Sequence, residues 1–349
     1  MENLLKVESS DKDFSEQECS SARKPKPHRQ LALAVRRTGP TPPSQGGGTG
    51  SNPVGAANCF LLDGSALLVS VRLASVLCGL LSIPQAVLLG IVEGITEFLP
   101  ISSTGHLLVV GQLIGFGTDS SSTAADTYSI AIQFGAILAV LFLYRIRVWS
   151  LVRGLVGADA IGKSSLIRLV VAFLPAALIG AVAGDAMKSA LFGPIPVTIA
   201  WLVGGAFLLR WRPTNGSLAF HEIPIRSAFI IGIAQALALW PGVSRSLVTL
   251  IAALALGMTM SAAIEFSFLL GLVTLSAATV LDLSKHGGEL VDQFGLLAPS
   301  VGLVCAFVTA IVAVRWMVGY LTSHSFKVFG WYRLAIGAMC VVLLATNVL

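Results

Sequence analysis

The sequence predicts an all-α integral membrane protein, an inverted-topology repeat with about six full transmembrane helices plus two re-entrant helical hairpins. Three observations lead there. Of the 349 residues, 55% are hydrophobic and only 12% charged, and the mean hydropathy is +0.82, a balance typical of multi-span helical membrane proteins. Apolar runs long enough to cross a bilayer recur along the chain. Two further apolar runs are interrupted by a proline and a serine-rich turn, and these two stretches align with each other.

The first 60 residues stand apart. They are polar, acidic at the start, then basic and proline-rich (Arg23, Lys24, Lys26, Arg29, Arg36, Arg37), and they run into Gly46-Gly47-Gly48. Such a composition cannot bury a core, so 1–60 is expected to be a disordered tail. It lacks the short basic start and apolar core of a secretory signal, and its acid-rich opening argues against a transit peptide. A translation start placed too far upstream is the plain alternative. Segment 61–82, apolar apart from Asp63 and Arg72, could span or lie along the surface.

Residues 83–349 form the expected membrane domain. A helix over 83–99 is followed by a short apolar run, 107–116, too brief to cross alone. A span is expected over 128–144, then a basic loop over 145–163 with Arg145, Arg147, Arg153 and Lys163. Spans follow over 166–184, where Pro175 predicts a kink, and over 195–209. Between these two lies a turn carrying Asp185, Lys188 and Pro194. A second basic loop carries Arg210, Arg212 and Arg226. A helix over 228–240 stops at Pro241, and another short apolar run covers 246–256. Spans close the chain over 262–281, 296–320 and 331–348.

The repeat is legible residue by residue. Gly90-Ile91-Val92-Glu93 matches Gly232-Ile233-Ala234-Gln235, and Phe98 matches Trp240. With one gap, Pro100 matches Pro241 and Ser103 matches Ser244. Downstream, Gln133-Phe134 recurs as Glu265-Phe266. The copies cover about 83–210 and 226–349. Paired proline-interrupted segments point to a site at the repeat interface. If each broken pair is re-entrant, the strongly basic loops fall on one side, and the positive-inside rule makes that side cytoplasmic. The net charge of +5 is then loop bias. No aromatic and basic interleaving supports a nucleic-acid partner. Cys19, Cys59, Cys78, Cys305 and Cys340 show no metal-ligand spacing.

The first break reads EGITEFLPISSTGH. Ionisable groups at membrane depth cost about 2.5–3.5 kcal/mol each, so they face a protein interior or a wet cavity. Glu93 and Glu97, four apart, share a helix face. Pro100 ends that helix, and Ser102, Ser103, Thr104 and His106 follow at once. The second break reads PGVSRS, with Arg245 between Ser244 and Ser246 and Thr249 one turn on. A guanidinium after a helix break suits a phosphate, through bidentate charge-assisted bonds supported by helix-start amides. Carboxylates alone would repel that phosphate. Beside an arginine they suggest a bridging divalent cation, with Glu93 and Glu97 as its oxygen ligands.

These two motifs, with Glu265-Phe266-Ser267-Phe268-Leu269-Leu270 and the terminal Tyr332-Arg333, resemble the undecaprenyl-diphosphatase family of the bacitracin-resistance type. The resemblance covers about 83–349. It implies a membrane hydrolase of inverted repeats that removes the terminal phosphate of undecaprenyl diphosphate, with Mg²⁺ or Ca²⁺ as cofactor. The product is the carrier lipid of cell-wall synthesis. It implies Glu93, Glu97, Ser103, His106 and Arg245 as catalytic residues, with Ser103 and His106 as the nucleophile and proton-transfer pair in either order, or metal-activated water as nucleophile. Ser102, Thr104, Ser244, Ser246 and Thr249 are the implied substrate-binding residues. It also implies the bacterial inner membrane, ahead of a plastid membrane, with the site on the outer side; a homodimer is compatible with it. Leu247 departs from the family, which usually has glycine there, and is expected to narrow the backbone's approach to the phosphate.

Plainer readings stand beside these. Membrane serines and threonines often bond back to a carbonyl, which bears on Ser102, Thr104 and Ser246. Gly90 and Gly94 form a GxxxG suited to close helix packing. Gln133 and Glu265 could be interhelical glue, and His106 a satisfied structural histidine. The rival function from another class is a lipid-phosphate flippase, which would share the broken repeats and want Arg245. It would have no use for two carboxylates beside a Ser-His pair.

Overall fold

The computed structural model describes residues 81–117, 122–213 and 216–349. The expected tail over 1–60, all but the last two residues of segment 61–82, and Cys19, Cys59 and Cys78 lie outside the described residues. Among the described residues the chain is all-helical, and the only β feature is one isolated parallel bridge, Leu218 to Met258.

Eleven α-helices follow one another along these described residues. The first break joins α1 (Ile83–Thr96) to the short α2 (Ser103–Leu113). Then come α3 (Ser122–Leu143), α4 (Arg145–Leu155), α5 (Ala160–Leu191) and α6 (Pro194–Arg210). A 3₁₀ turn (Phe220–Glu222) leads into α7 (Ile225–Gln235), whose end tightens into a second 3₁₀ turn (Ala236–Leu239) before the second break. The short α8 (Arg245–Ala255), α9 (Met260–Phe294), α10 (Leu297–Leu321) and α11 (Lys327–Ala345) complete the chain. Five of these helices, α3, α5, α9, α10 and α11, are long and apolar enough to cross a membrane. The sixth expected span, α6, has 17 residues, at the short limit of about 17–25 for a spanning helix.

Three stretches expected as loops or turns are helical. The basic segment after α3 forms α4, which packs against α5. The segment with Asp185 and Lys188 is the last turns of α5, and 283–294 is the last turns of α9. At the ends of α5 and α9 hydropathy stops before the backbone hydrogen bonding does, whereas α4 is a separate helix, set off from α3 at Tyr144. Between α4 and α5, Asp159 caps α5. The Gly162 amide N–H (2.9 Å) and the Ser150 hydroxyl (2.6 Å) hold its carboxyl below the usual carboxylate value.

The outward faces are apolar: Val182, Val203, Val280 and Val312 all stand exposed, as suits helices whose solvent is lipid. Packing inside depends on small residues. A β-carbon on Gly90 would run into the Gly302 carbonyl, and one on Gly94 into the Ala306 carbonyl. The GxxxG of α1 therefore lies directly on the α10 backbone. That close contact fixes the end of α1, where the first break begins.

Candidate active site

A capping box starts α1: the Ser82 hydroxyl accepts from the Gln85 amide N–H, and the Gln85 side chain accepts in return. Twelve residues after Gln85, Glu97 caps the far end, one turn beyond Glu93. Glu93 is 0% and Glu97 6% exposed. The chain then turns through Pro100 to Ser102, whose φ of 74° and ψ of 101° is a conformation non-glycine residues seldom adopt. Such strain persists only where the surroundings hold it. The Ser102 hydroxyl caps α2 by accepting from the Gly105 N–H.

The second break turns at Gly242, with φ of 93°, a position that favours glycine. Ser244 then caps α8, accepting from the Leu247 N–H at 3.3 Å. The two breaks are bonded to each other. The hydroxyls of Ser244 (3.3 Å) and Ser246 (3.0 Å) both donate to the Leu99 carbonyl, and the two hydroxyls lie 2.9 Å apart. Thr249 donates back to the Arg245 carbonyl and meets Ser267 at 2.6 Å.

The centre of the site is Glu97. One carboxylate oxygen accepts from Arg245 Nη2 at 2.6 Å. The other accepts from the Ser103 hydroxyl and, at 3.3 Å, from Gln133 Nε2 of α3. Arg245 Nη1 is buried without a partner among the described residues. Glycine at 271 makes room for that guanidinium, since a β-carbon there would overlap Nη1. Glu93 lies close to Glu97, Gln133 and Arg245, yet among the described residues neither of its buried oxygens meets a partner in hydrogen-bonding geometry. A buried carboxylate left that way is costly unless something else meets it.

Two cavities flank this centre. One, of about 430 Å³, is lined by Glu97, Ser102, Ser103, Ser244 and Arg245, and its far wall is apolar, from Phe173 and Ala177 of α5 to Leu275 and Leu281 of α9. The other, of about 500 Å³, reaches Glu93 from the side of Asp126, Ser129 and Lys188. Thr104 and Gln133 line both.

The structure thus brings Glu93, Glu97, Ser103 and Arg245 together, with Ser102, Thr104 and Ser244 along the cleft wall. It does not pair Ser103 with His106. His106 Nδ1–H donates to the Ser102 carbonyl at 2.6 Å, and Nε2 lies 2.8 Å from the Tyr332 hydroxyl, which donates to it. The ring stacks on Tyr332 and meets Trp201 edge-on. Ser246 and Thr249 line neither cavity. Leu247 does not narrow the site either, because its side chain joins the apolar core with Phe98 and Phe268.

A match to the family described as bacitracin resistance protein BacA covers residues 86–339. The chain is 44% identical over 262 residues to the undecaprenyl-diphosphatase of Sorangium cellulosum strain So ce56, covering 73% of this chain and 84% of that one. It is 42% identical over 269 residues to the undecaprenyl-diphosphatase of Rhodopseudomonas palustris strain BisB5 (76% and 98% covered). It is 45% identical over 266 residues to undecaprenyl-diphosphatase 2 of Rhodospirillum rubrum (75% and 94% covered). The chain belongs to the bacitracin resistance protein BacA family.

For a member of that family the donor set bears directly on the expected cation. Among the described residues no group of three or more His, Cys, Asp or Glu side chains comes together, so an all-protein cage of that kind is absent there. Two neighbouring carboxylates, one with both oxygens unpartnered, are enough for Mg²⁺, which keeps its waters and takes the remaining ligands from substrate phosphates. The residues fit the ion.

Several contributors are not assigned by the sequence motifs. Gln133 reaches Glu97 rather than only joining helices, whereas its repeat mate Glu265 pairs with Arg147 at 2.6 Å. Gln235, the repeat mate of Glu93, is 2% exposed, lines the cleft and keeps a free amide nitrogen. Arg333, 1% exposed, donates to the carbonyls of Pro100 (3.4 Å), Ala200 (2.9 Å) and Gly242 (2.9 Å), joining both breaks to α6. The Tyr332-Arg333 pair is visible as a family marker, and the repeat alignment singles out Gln235. Gly271 leaves no signal in the sequence.

Proposed function

We propose that this chain is a membrane hydrolase that removes the terminal phosphate of undecaprenyl diphosphate to give undecaprenyl phosphate, returning the carrier lipid to peptidoglycan synthesis and lowering sensitivity to bacitracin. The observation that carries the reading is the Ser103–Glu97–Arg245 chain of hydrogen bonds at the head of an apolar cleft. A flippase needs the arginine and the cleft, but not a serine hydroxyl held on a carboxylate. The names of the relatives point the same way.

In this reading the isoprenoid chain lies along the apolar wall between α5 and α9, and its diphosphate meets Arg245. The free Nη1 and the Nη2 now on Glu97 form the two prongs of a phosphate clamp. Glu97 draws the proton from Ser103 as Oγ forms a bond to the terminal phosphorus. The bridging P–O bond breaks, and undecaprenyl phosphate leaves. A water then cleaves the phosphoserine, releasing inorganic phosphate and returning the proton to Ser103. When bound at Glu93 and Glu97, Mg²⁺ or Ca²⁺ would neutralise charge on the diphosphate oxygens. Two roles stay with the structural neighbours: His106 supports the strained Ser102 carbonyl, and Gln133 orients Glu97.

Re-entrant breaks, an inverted repeat with α6 as sixth span, an inner-membrane location and a site opening outward complete the reading. The matched breaks and the charge bias of the loops support the first two, and the family resemblance supports the location and the outward-facing site. The decisive experiment is metal-dependent phosphate release from a C55 diphosphate by the purified protein in detergent, where no gradient exists to drive transport. Ser103→Ala should lower kcat by about 10²–10⁴, the range for loss of a nucleophile with its base, and acid-quenched wild-type enzyme should carry phosphoserine. Full activity of Ser103→Ala would move the attack to water.

A further inference from the structure

Hydrolysis consumes water and the site wants a cation, yet a lipid diphosphate seated on Arg245 would fill the cleft through which both would otherwise arrive. The second cavity resolves this conflict. It is the larger of the two, about 500 Å³ against about 430 Å³. Glu93 faces it, 0% exposed and with both oxygens unpartnered. Its other polar lining includes Thr104, Ser129, Gln133 and Asp126. The cation among its described lining residues, Lys188, is held by Asp126 at 2.6 Å across the solvent-exposed rim. Inside that rim the lining therefore offers the Glu93 oxygens as ligands for a cation and, among the described residues, no cationic side chain for a phosphate. Only Thr104 and Gln133 belong to both cavities among the described residues, and Gln133 is bonded to Glu97, so the carboxylates form the wall between them.

We propose that the site has two doors: the apolar cleft admits the lipid, and the cavity rimmed by Asp126 and Lys188 admits water and the hydrated divalent cation to Glu93. The proposal rests on the hydrolase reading, but its test needs no turnover.

Single cysteines are placed in a background with the five native cysteines replaced, Ser129→Cys for the cation door and Ala177→Cys for the lipid door. Each is labelled with a cationic methanethiosulfonate in detergent, alone, with Mn²⁺, and with undecaprenyl phosphate. Mn²⁺ should slow labelling at 129 by about fivefold or more and leave 177 within about twofold, a gap on the order of 1 kcal/mol in occupancy. Undecaprenyl phosphate should do the reverse. Labelling of 129 should also weaken Mn²⁺ binding measured by electron paramagnetic resonance, whereas labelling of 177 should not. Equal protection of both positions by the lipid, or protection by Mn²⁺ at 177 alone, overturns the two-door arrangement. If lipid protects neither position while Mn²⁺ still protects 129, the cation door stands and the lipid assignment of the proposed function fails instead.

Discussion

The two proline breaks use the same kinds of residue to opposite ends. At the first, Glu97 and the Ser103 hydroxyl turn towards the cleft and hold each other there. At the second, Ser244 on the cleft wall and Ser246 behind it both donate to the Leu99 carbonyl of the first break, while Thr249 is occupied by its own helix and by Ser267. Of the second motif, Arg245 alone carries charge to the cleft. The difference lies in the acceptor each hydroxyl finds. A carboxylate can take a proton in a reaction, whereas a backbone carbonyl can only keep the hydroxyl in place. One break is the reactive half and the other is its scaffold with a single cation attached.

The largest effect should come from the residue both halves share. Glu97→Gln keeps the size of the side chain but removes the base from Ser103 and the counter-charge from Arg245. It should lower kcat by about 10³-fold or more, within the range for a positioned general base combined with charge stabilisation. Mn²⁺ binding measured without substrate should weaken in parallel. A variant within tenfold of wild type would mean that the first break is not the reactive half.

Next comes the cation. Arg245→Lys keeps the charge and loses the planar fork. With Nη2 on Glu97 and Nη1 without a partner, the fork is needed to bridge carboxylate and phosphate. The expected loss is about 2–4 kcal/mol, or roughly 30- to 1,000-fold in kcat/KM. A lysine variant within about threefold, under 1 kcal/mol, would reduce Arg245 to a field effect. Gly271→Ala tests the same group from behind. Its β-carbon occupies the place of Nη1, so the guanidinium must shift. We expect about tenfold lower kcat/KM with little change in thermal stability, as for a small displacement of a positioned group. A stability loss without a kinetic one would make Gly271 a packing residue only.

The helix-break pairs and their charged members can be read from sequence because membrane burial of Glu93, Glu97 and Arg245 is too costly to be incidental. The GxxxG at Gly90 and Gly94 is equally legible, since small residues one turn apart have few other uses in lipid. What cannot be read is which acceptor a hydroxyl meets. Ser103 and Ser244 occupy matching repeat positions, yet one finds Glu97 and the other Leu99. His106 is expected beside Ser103, three residues away, but its partner Tyr332 is 226 positions on. The helical ends of α5 and α9 are hidden for another reason. Hydropathy reports where lipid ends, and a helix held by its own backbone bonds continues past that boundary.

The smallest kinetic effect should fall on Ser246→Ala, and it separates scaffold from site most cleanly. Ser246 is 2% exposed, lines neither cavity and donates at 3.0 Å to Leu99. As a substrate ligand it would contribute a hydrogen bond to a charged phosphate, about 1.5–3 kcal/mol, and its loss would raise KM or lower kcat by roughly ten- to a hundredfold. As a strut between the breaks, its loss removes one neutral buried hydrogen bond, about 1 kcal/mol of stability. The Ile101 N–H (2.7 Å) and the Ser244 hydroxyl (3.3 Å) remain on the same carbonyl, so Leu99 is not left bare. The strut reading therefore predicts kcat/KM within about threefold of wild type and a measurably lower midpoint of thermal unfolding in detergent. The double variant Ser244→Ala/Ser246→Ala should then lose more stability than the sum of the two single variants, because the two hydroxyls lie 2.9 Å apart and only their joint loss leaves the Leu99 carbonyl with the Ile101 N–H alone. Additive stability losses, or a tenfold kinetic loss in Ser246→Ala at unchanged stability, would return that serine to the substrate and make the two breaks functionally alike.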